Sequence, residues 1–139
     1  MVNPKDIPTG TDRESIRKRE AVISDFYRKW YESHPSKKVR NIDLNDDINV
    51  RYISVTETVR HAAISYLSTL AVLQLDLVLK TARRVGKPKP VKPNDKNQSV
   101  FAKMQIMECV LEGIGKVKLT VGIKKNDVKI QYCITAIRT

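Results

Sequence analysis

Cysteine is scarce in this chain, with only Cys109 and Cys133 among 139 residues. Two cysteines cannot build a disulfide framework, and neither belongs to a CxxC pair. Joined by His34 and His61 they are the soft metal ligands of the chain, but no two of them have the spacing of a structural zinc site. They read as small apolar residues of strands. Aromatic side chains make up only 6%, which gives little support to a stacking platform for single strands. No apolar run approaches the ~18 residues of a membrane-spanning helix. The opening Met1-Val2-Asn3-Pro4-Lys5-Asp6 has no apolar core of a secretion signal, so the expected location is the cytoplasm, with no membrane partner. The glycine-rich loops of nucleotide-binding folds and the nucleophile elbow are missing as well. The one carboxylate cluster, Asp43, Asp46 and Asp47, lacks the glycine and terminal glutamate of a calcium loop and reads as a polar loop. No metal and no cofactor are expected.

What the chain has in excess is positive charge. Its formal net charge is +11 and its isoelectric point is near 9.8. Such a balance points to a polyanionic partner. The cations are unevenly spread: Arg83, Arg84, Lys87, Lys89, Lys92, Lys96 and Lys103 fall in one short segment against Asp95 alone. Length and the 41% hydrophobic content suit one folded domain.

The pattern along the chain predicts a flexible arm over residues 1–11, then a single domain over 12–139. Thr11-Asp12-Arg13-Glu14 reads as a capping box with Thr11 as N-cap. It opens a helix over 12–33, with Ile16, Ile23, Tyr27 and Trp30 as the apolar stripe and His34-Pro35 as the stop. Residues 36–49 read as a polar loop with a short extended piece at Val39–Ile42, and Val50–Ile53 as a strand. Ser54-Val55-Thr56-Glu57 is a second capping-box pattern. The apolar stretch 55–83 reads as helix, too long to be unbroken in a globule this size, with a break near Ser65–Ser68 or near Gln74–Asp76. Prolines 88, 90 and 93 make residues 84–99 a mobile basic loop. Three segments of period-two alternation follow, with turns at Gly113-Ile114-Gly115 and Lys124-Lys125-Asn126-Asp127. The expected fold class is therefore α+β, with N-terminal helices packed on a C-terminal antiparallel sheet of three to four strands.

One face of this meander should pack on the leucine-rich helices. The other carries Lys116, Lys118, Thr120, Lys129, Gln131 and Thr135, with Arg138 just beyond. That face suits a phosphate backbone, and equally an ordinary solvated sheet. Together with the loop, the nucleic-acid contacts expected are Arg83, Arg84, Lys87, Lys89, Lys92, Lys116, Lys118, Lys129 and Arg138. His61, beside Arg60, is a candidate general base toward a ribose 2′-hydroxyl, with Lys118 or Arg138 stabilising the charged phosphorane. A surface or helix-end histidine fits the same position.

The run Ile48-Asn49-Val50-Arg51-Tyr52-Ile53-Ser54-Val55-Thr56-Glu57-Thr58-Val59-Arg60-His61 resembles the strand-then-helix opening of barnase–EndoU–colicin–RelE-like nuclease domains carried by phages and other mobile elements. The leucine-rich stretch Leu70–Ala82, a variable insert and a curved antiparallel sheet ending in Gln131-Tyr132-Cys133-Ile134-Thr135 continue the likeness over about 90 residues. The chain is also similar to small proteins of Bacteroidetes-type mobile elements. The nuclease resemblance implies a metal-independent ribonuclease fold, active or degenerate. His61 would hold the helix-borne histidine position, and Gln131 or Thr135 the polar position on the last strand; an acid–base partner for His61 is not evident. Three readings thus stand side by side: a nucleic-acid-binding protein of a mobile element, with RNA favoured over DNA; a metal-independent endoribonuclease using His61, Lys118, Gln131 and Thr135; and a structural or partner-binding protein.

Overall fold

A computed structural model of the chain describes residues 2–137. Its first long helix, α1 (Arg13–Ser33), starts one residue later than the capping pattern suggests. Asp12 is the N-cap, and its carboxylate accepts the Ser15 N–H. The buried stripe contains Ile23, Tyr27 and Trp30 as expected, and also Arg19. Arg19 is fully buried, and its guanidinium donates to three carbonyls: Ala63 (2.7 Å), Ile64 (3.2 Å) and Pro8 (2.7 Å). Two of these lie just past the end of the next helix, where carbonyls lack intrahelical partners and a cation is favoured. The third ties down the segment expected to be a loose arm, where Ile7 is buried.

A short hairpin follows, β1 (Lys38–Asn41) with β2 (Asp46–Asn49). The strand expected at Val50–Ile53 is not there. Instead α2 (Tyr52–Ala62) begins at once, with Ser54 Oγ accepting the Arg51 N–H at 2.9 Å. The apolar stretch breaks at both proposed places, giving α3 (Tyr66–Val72) and α4 (Leu75–Thr81). Ser65 caps the first of these through the Ser68 N–H. Buried Asn41 closes the second, donating to the carbonyls of Leu79 and Ala82 at 2.8 Å each.

The sheet is larger than expected and mixed. Beyond the hairpin it contains β3 (Arg83–Arg84), β4 (Lys89–Pro90), β5 (Lys103–Leu111), β6 (Gly115–Ile123) and β7 (Lys129–Ala136), in the order β1-β2-β7-β6-β5-β3, with β4 also on β5. β2 pairs with β7 in parallel, so the helices are interleaved between strands rather than gathered before them. The expected meander β5-β6-β7 is its centre. Met107, Leu111, Val117, Leu119, Val121 and Ile134 join Ile23, Tyr27, Trp30, Val72, Leu75 and Leu79 in the main core. Beyond β2, the free edge of β7 is covered by helices rather than by a strand: Ser54 Oγ donates to the Gln131 carbonyl, and Ala136 N–H donates to Ser68 Oγ. Such cover removes a site for unwanted strand pairing.

β7 contains one extra residue. Thr120 faces Cys133 but Val121 faces Gln131, so Tyr132 is the bulge. A bulge reverses which side the following residues occupy. Gln131, expected on the polar face, therefore points to the helices and is fully buried. Its Oε1 accepts from the Tyr27 hydroxyl at 3.0 Å and its Nε2 donates to Thr58 Oγ1 at 2.6 Å. Lys129, register partner of Ile123, turns to the same side. Ile130 and Tyr132 turn to the outer side and form a second cluster with Phe101 and Met104.

This second cluster changes the reading of residues 84–99. Far from being mobile throughout, the segment pairs with β5 at two places, through β3 and β4. It then crosses the outer face, where Val91 and buried Gln98 and Phe101 anchor it. Phe101 lies against Gly122, where a Cβ would fall 2.5 Å from the ring; any larger residue there would lift the segment.

The Arg19 contacts generate a direct expectation. Arg19→Ala leaves three carbonyls without a donor and should cost about 3 kcal/mol or more in urea unfolding. Arg19→Lys should recover little of it, because one ammonium cannot reproduce the planar fork.

Candidate functional site

Helix α2 lies along the free edge of β7 and divides its residues between the two sides. Thr58 serves the core through Gln131. Ile53 packs on the outer cluster, and Glu57 and His61 follow it at four-residue steps. Glu57 is only 3% exposed. One of its carboxylate oxygens accepts from Asn97 Nδ2, and the other lies 3.2 Å from His61 Nε2. His61 remains 44% exposed. A buried carboxylate thus holds an accessible imidazole by one nitrogen and leaves Nδ1 for a ligand.

The sequence alone hides this partner. Ser54-Val55-Thr56-Glu57 looks like a capping box, which would commit Glu57 to the helix start. Because α2 begins at Tyr52, Ser54 performs the capping and Glu57 is released to His61. The signal that could have found it is the i,i+4 spacing of Glu57 and His61 itself.

The surroundings are charged and partly dry. Burial, with the Glu57 charge nearby, pushes the Cys133 thiol up to about 12, against a smaller opposing pull from Lys118. That direction disfavours the thiolate form of Cys133. Burial, reinforced by Glu57 and Asp95, also raises the Tyr132 hydroxyl to about 12. Lys118 and Thr135 are register partners on the outer face and half-buried. His61, Lys118 and Thr135 thus belong to one side of the sheet, whereas Gln131 is on the other with both ends of its amide engaged.

The cations separate into groups. Arg60, next to His61, lines a shallow basin of about 500 Å³ with Lys92, Pro93, Asn94, Asp95 and Lys96. A second cleft of about 420 Å³, near the Lys124–Asp127 turn and on the helix-facing side, is lined by Arg84, Lys87, Lys103 and Lys129 with Gln105 and Ile123. Two of its cations are already engaged. Arg84 donates through Nε and its backbone N–H to Asp43, at 2.9 Å each, and Lys129 sits between Asp46 (2.8 Å) and Asp127 (2.9 Å). Lys116 pairs with Glu108 at 3.6 Å. Arg83 and Lys89 are exposed in β3 and β4. Arg138 lies outside the described residues.

His34 has a structural place. It stacks on Trp30 with ring centroids 4.2 Å apart and meets Asp76 at 3.3 Å, while Trp30 Nε1 donates to the same carboxylate. Among the described residues no group of three or more His, Cys, Asp or Glu side chains converges as metal ligands. No helix there is long and apolar enough to cross a membrane. Searches of family models, curated proteins and solved structures find no match to this chain.

The Asp–cation pairs give a pH expectation. Backbone and side-chain hydrogen bonds from Arg84 hold the Asp43 carboxyl below its usual value, and the Lys129 ammonium does the same to Asp46. A lowered folded-state pKa adds stability that is complete above the ordinary aspartate range near ~3.9 and is lost as pH falls through the folded value. Stability measured by urea unfolding should fall on acidification through that window, and the fall should be shallower in an Asp43→Asn/Asp46→Asn variant.

Proposed function

We propose that the protein binds nucleic acid through its phosphate backbone, with Arg60, Lys92 and Lys96 as central contacts in the first basin and Lys87, Lys89 and Lys103 continuing them around the β4 edge into the second cleft. The observation that carries this reading is convergence: Arg60, Lys92 and Lys96 line one basin in which Asp95 is the single acid. None of these six cations has a carboxylate within ion-pair distance among the described residues, whereas Arg84, Lys116 and Lys129 do. The unpaired ones lie on or beside a segment pinned by β4, Val91, Gln98 and Phe101. A fixed row of unpaired cations attracts a polyanion without first ordering a loop.

Binding of this kind releases counterions. For a single strand contacting six phosphates, log K should fall against log salt with a slope of about −4. Lys92→Gln and Lys96→Gln should each reduce that slope by about 0.7. Fluorescence anisotropy across a salt series measures both, and affinity indifferent to salt would remove the proposal.

One observation favours cleavage as a second reading: the Glu57–His61 pair adjoins the Arg60 basin. This agrees with the resemblance to barnase–EndoU–colicin–RelE-like nucleases. In this reading His61 Nδ1 takes the proton of a ribose 2′-hydroxyl, whose oxygen attacks the adjacent phosphorus. The 5′-oxygen leaves with a proton from water, and a 2′,3′-cyclic phosphate remains. Lys118 or Arg60 offsets the charge on the phosphorane, and Glu57 stabilises the imidazolium. Such chemistry requires RNA. His61→Ala and Glu57→Gln should each slow cleavage of a labelled RNA, the former by about 100-fold or more; equal rates in wild type and His61→Ala would retire the reading while leaving the binding proposal intact.

A further inference from the structure

Helix α2 presents an unusual residue to solvent. Tyr52 is 81% exposed, the most open large apolar side chain described. The aromatic pairs among the described residues involve other rings, so none covers it. It neither fills the core nor shields the outer cluster, which its neighbour Ile53 does. Nothing in the fold accounts for an aromatic ring here.

Its position does suggest a use. Tyr52, Thr56 and Arg60 are all exposed and follow one another at four-residue steps along α2. They form a slanting stripe about 12 Å long at 1.5 Å per residue. Exposed Arg51 stands at one end, and Arg60 enters the basin with Lys92 and Lys96 at the other. The segment 91–101 runs beside the helix: Val91 and Phe101 share a cluster with Ile53, and Asn97 bonds Glu57. A ring with arginines on both sides, along a track of lysines, is the arrangement that takes a base on an aromatic face and its phosphates on cations. Paired bases in a duplex keep both faces occupied by their neighbours and cannot offer one to a side chain.

We propose that the ligand is single-stranded nucleic acid and that Tyr52 stacks on one of its bases. This rests on the phosphate-binding reading above and adds the strand state to it. The low aromatic content weighs against an extended platform with several stacked bases, so one stacking position on an electrostatic track is the form the site takes. Tyr52 is then a binding residue that sets preference for strand state.

The test uses the full chain and two fluorescent RNAs, an unstructured single strand and a perfect hairpin duplex of equal phosphate number. Because the side chain is exposed, Tyr52→Ala should fold as the wild type does, which thermal unfolding verifies. Tyr52→Ala should weaken single-strand binding by roughly 5- to 100-fold and leave the salt slope unchanged, since no phosphate contact is lost. Tyr52→Phe and Tyr52→Trp should retain affinity, because the ring rather than the hydroxyl makes the contact. Duplex binding should be weaker and unaffected by Tyr52→Ala. Equal single-strand affinity in wild type and Tyr52→Ala, alongside a reduced salt slope in Lys92→Gln, would overturn the stacking proposal and leave phosphate binding standing. If no variant, nor the wild type, binds either RNA, both fall together.

Discussion

The extra residue in β7 governs the arrangement around α2. Without it, strand alternation would send Tyr132 to the helices and Gln131 to the opposite face. With it, Gln131 turns inward and joins Tyr27 of α1 to Thr58 of α2, all buried. The same reversal turns Ile130 and Tyr132 outward, where they meet Phe101 and Met104. One insertion thus docks α2 on one side of the sheet and builds an anchor for the basic segment on the other. Burial of the Gln131 amide is tolerable only because both of its ends are satisfied. The main core and the outer cluster are therefore linked through the backbone of two adjacent residues.

Charge is distributed with comparable economy. The loop acids Asp43, Asp46 and Asp47 each take a cation: Arg84, Lys129 and Lys38. These pairs join the β1–β2 hairpin to distant parts of the sheet or close it on itself. Their worth is modest because most of these groups are partly exposed. They leave Arg60, Lys92 and Lys96 without a carboxylate at ion-pair distance among the described residues. Arg60, Lys92 and Lys96 gather at one basin, with Asp95 as its only acid.

The α+β class, the three-stranded centre, α1 and both breaks in the apolar stretch were legible, because each rests on local periodicity or capping. Apolar alternation marks Val117, Leu119 and Val121 without any knowledge of what they face. The two short strands on β5 were not legible, since Arg83-Arg84 and Lys89-Pro90 have no strand pattern and are held by pairing alone. Proline at Pro90 is acceptable there because β4 is an edge. The side occupied by Gln131 was beyond reach for another reason: alternation assumes an unbroken count, and a bulge has no sequence signature of its own. The candidate site was half visible. His61 and the loop cations stood out by type, but Glu57 was masked by a capping pattern that the fold realises one turn earlier.

Glu57 raises a question for any polyanion site, since a carboxylate beside it should repel phosphate. The structure answers through burial and partners. Glu57 is 3% exposed, and its two carboxylate oxygens are taken by Asn97 and His61. A ligand in the basin meets Arg60, Lys92 and Lys96, and Glu57 is not among the residues that line it. Asn97 also makes the basic segment and the imidazole parts of one unit, because its backbone lies between Lys96 and Gln98 while its side chain bonds Glu57. Lifting the segment would remove that bond and loosen His61. The basic segment and the accessible imidazole beside it are therefore mechanically coupled through Asn97 and Glu57.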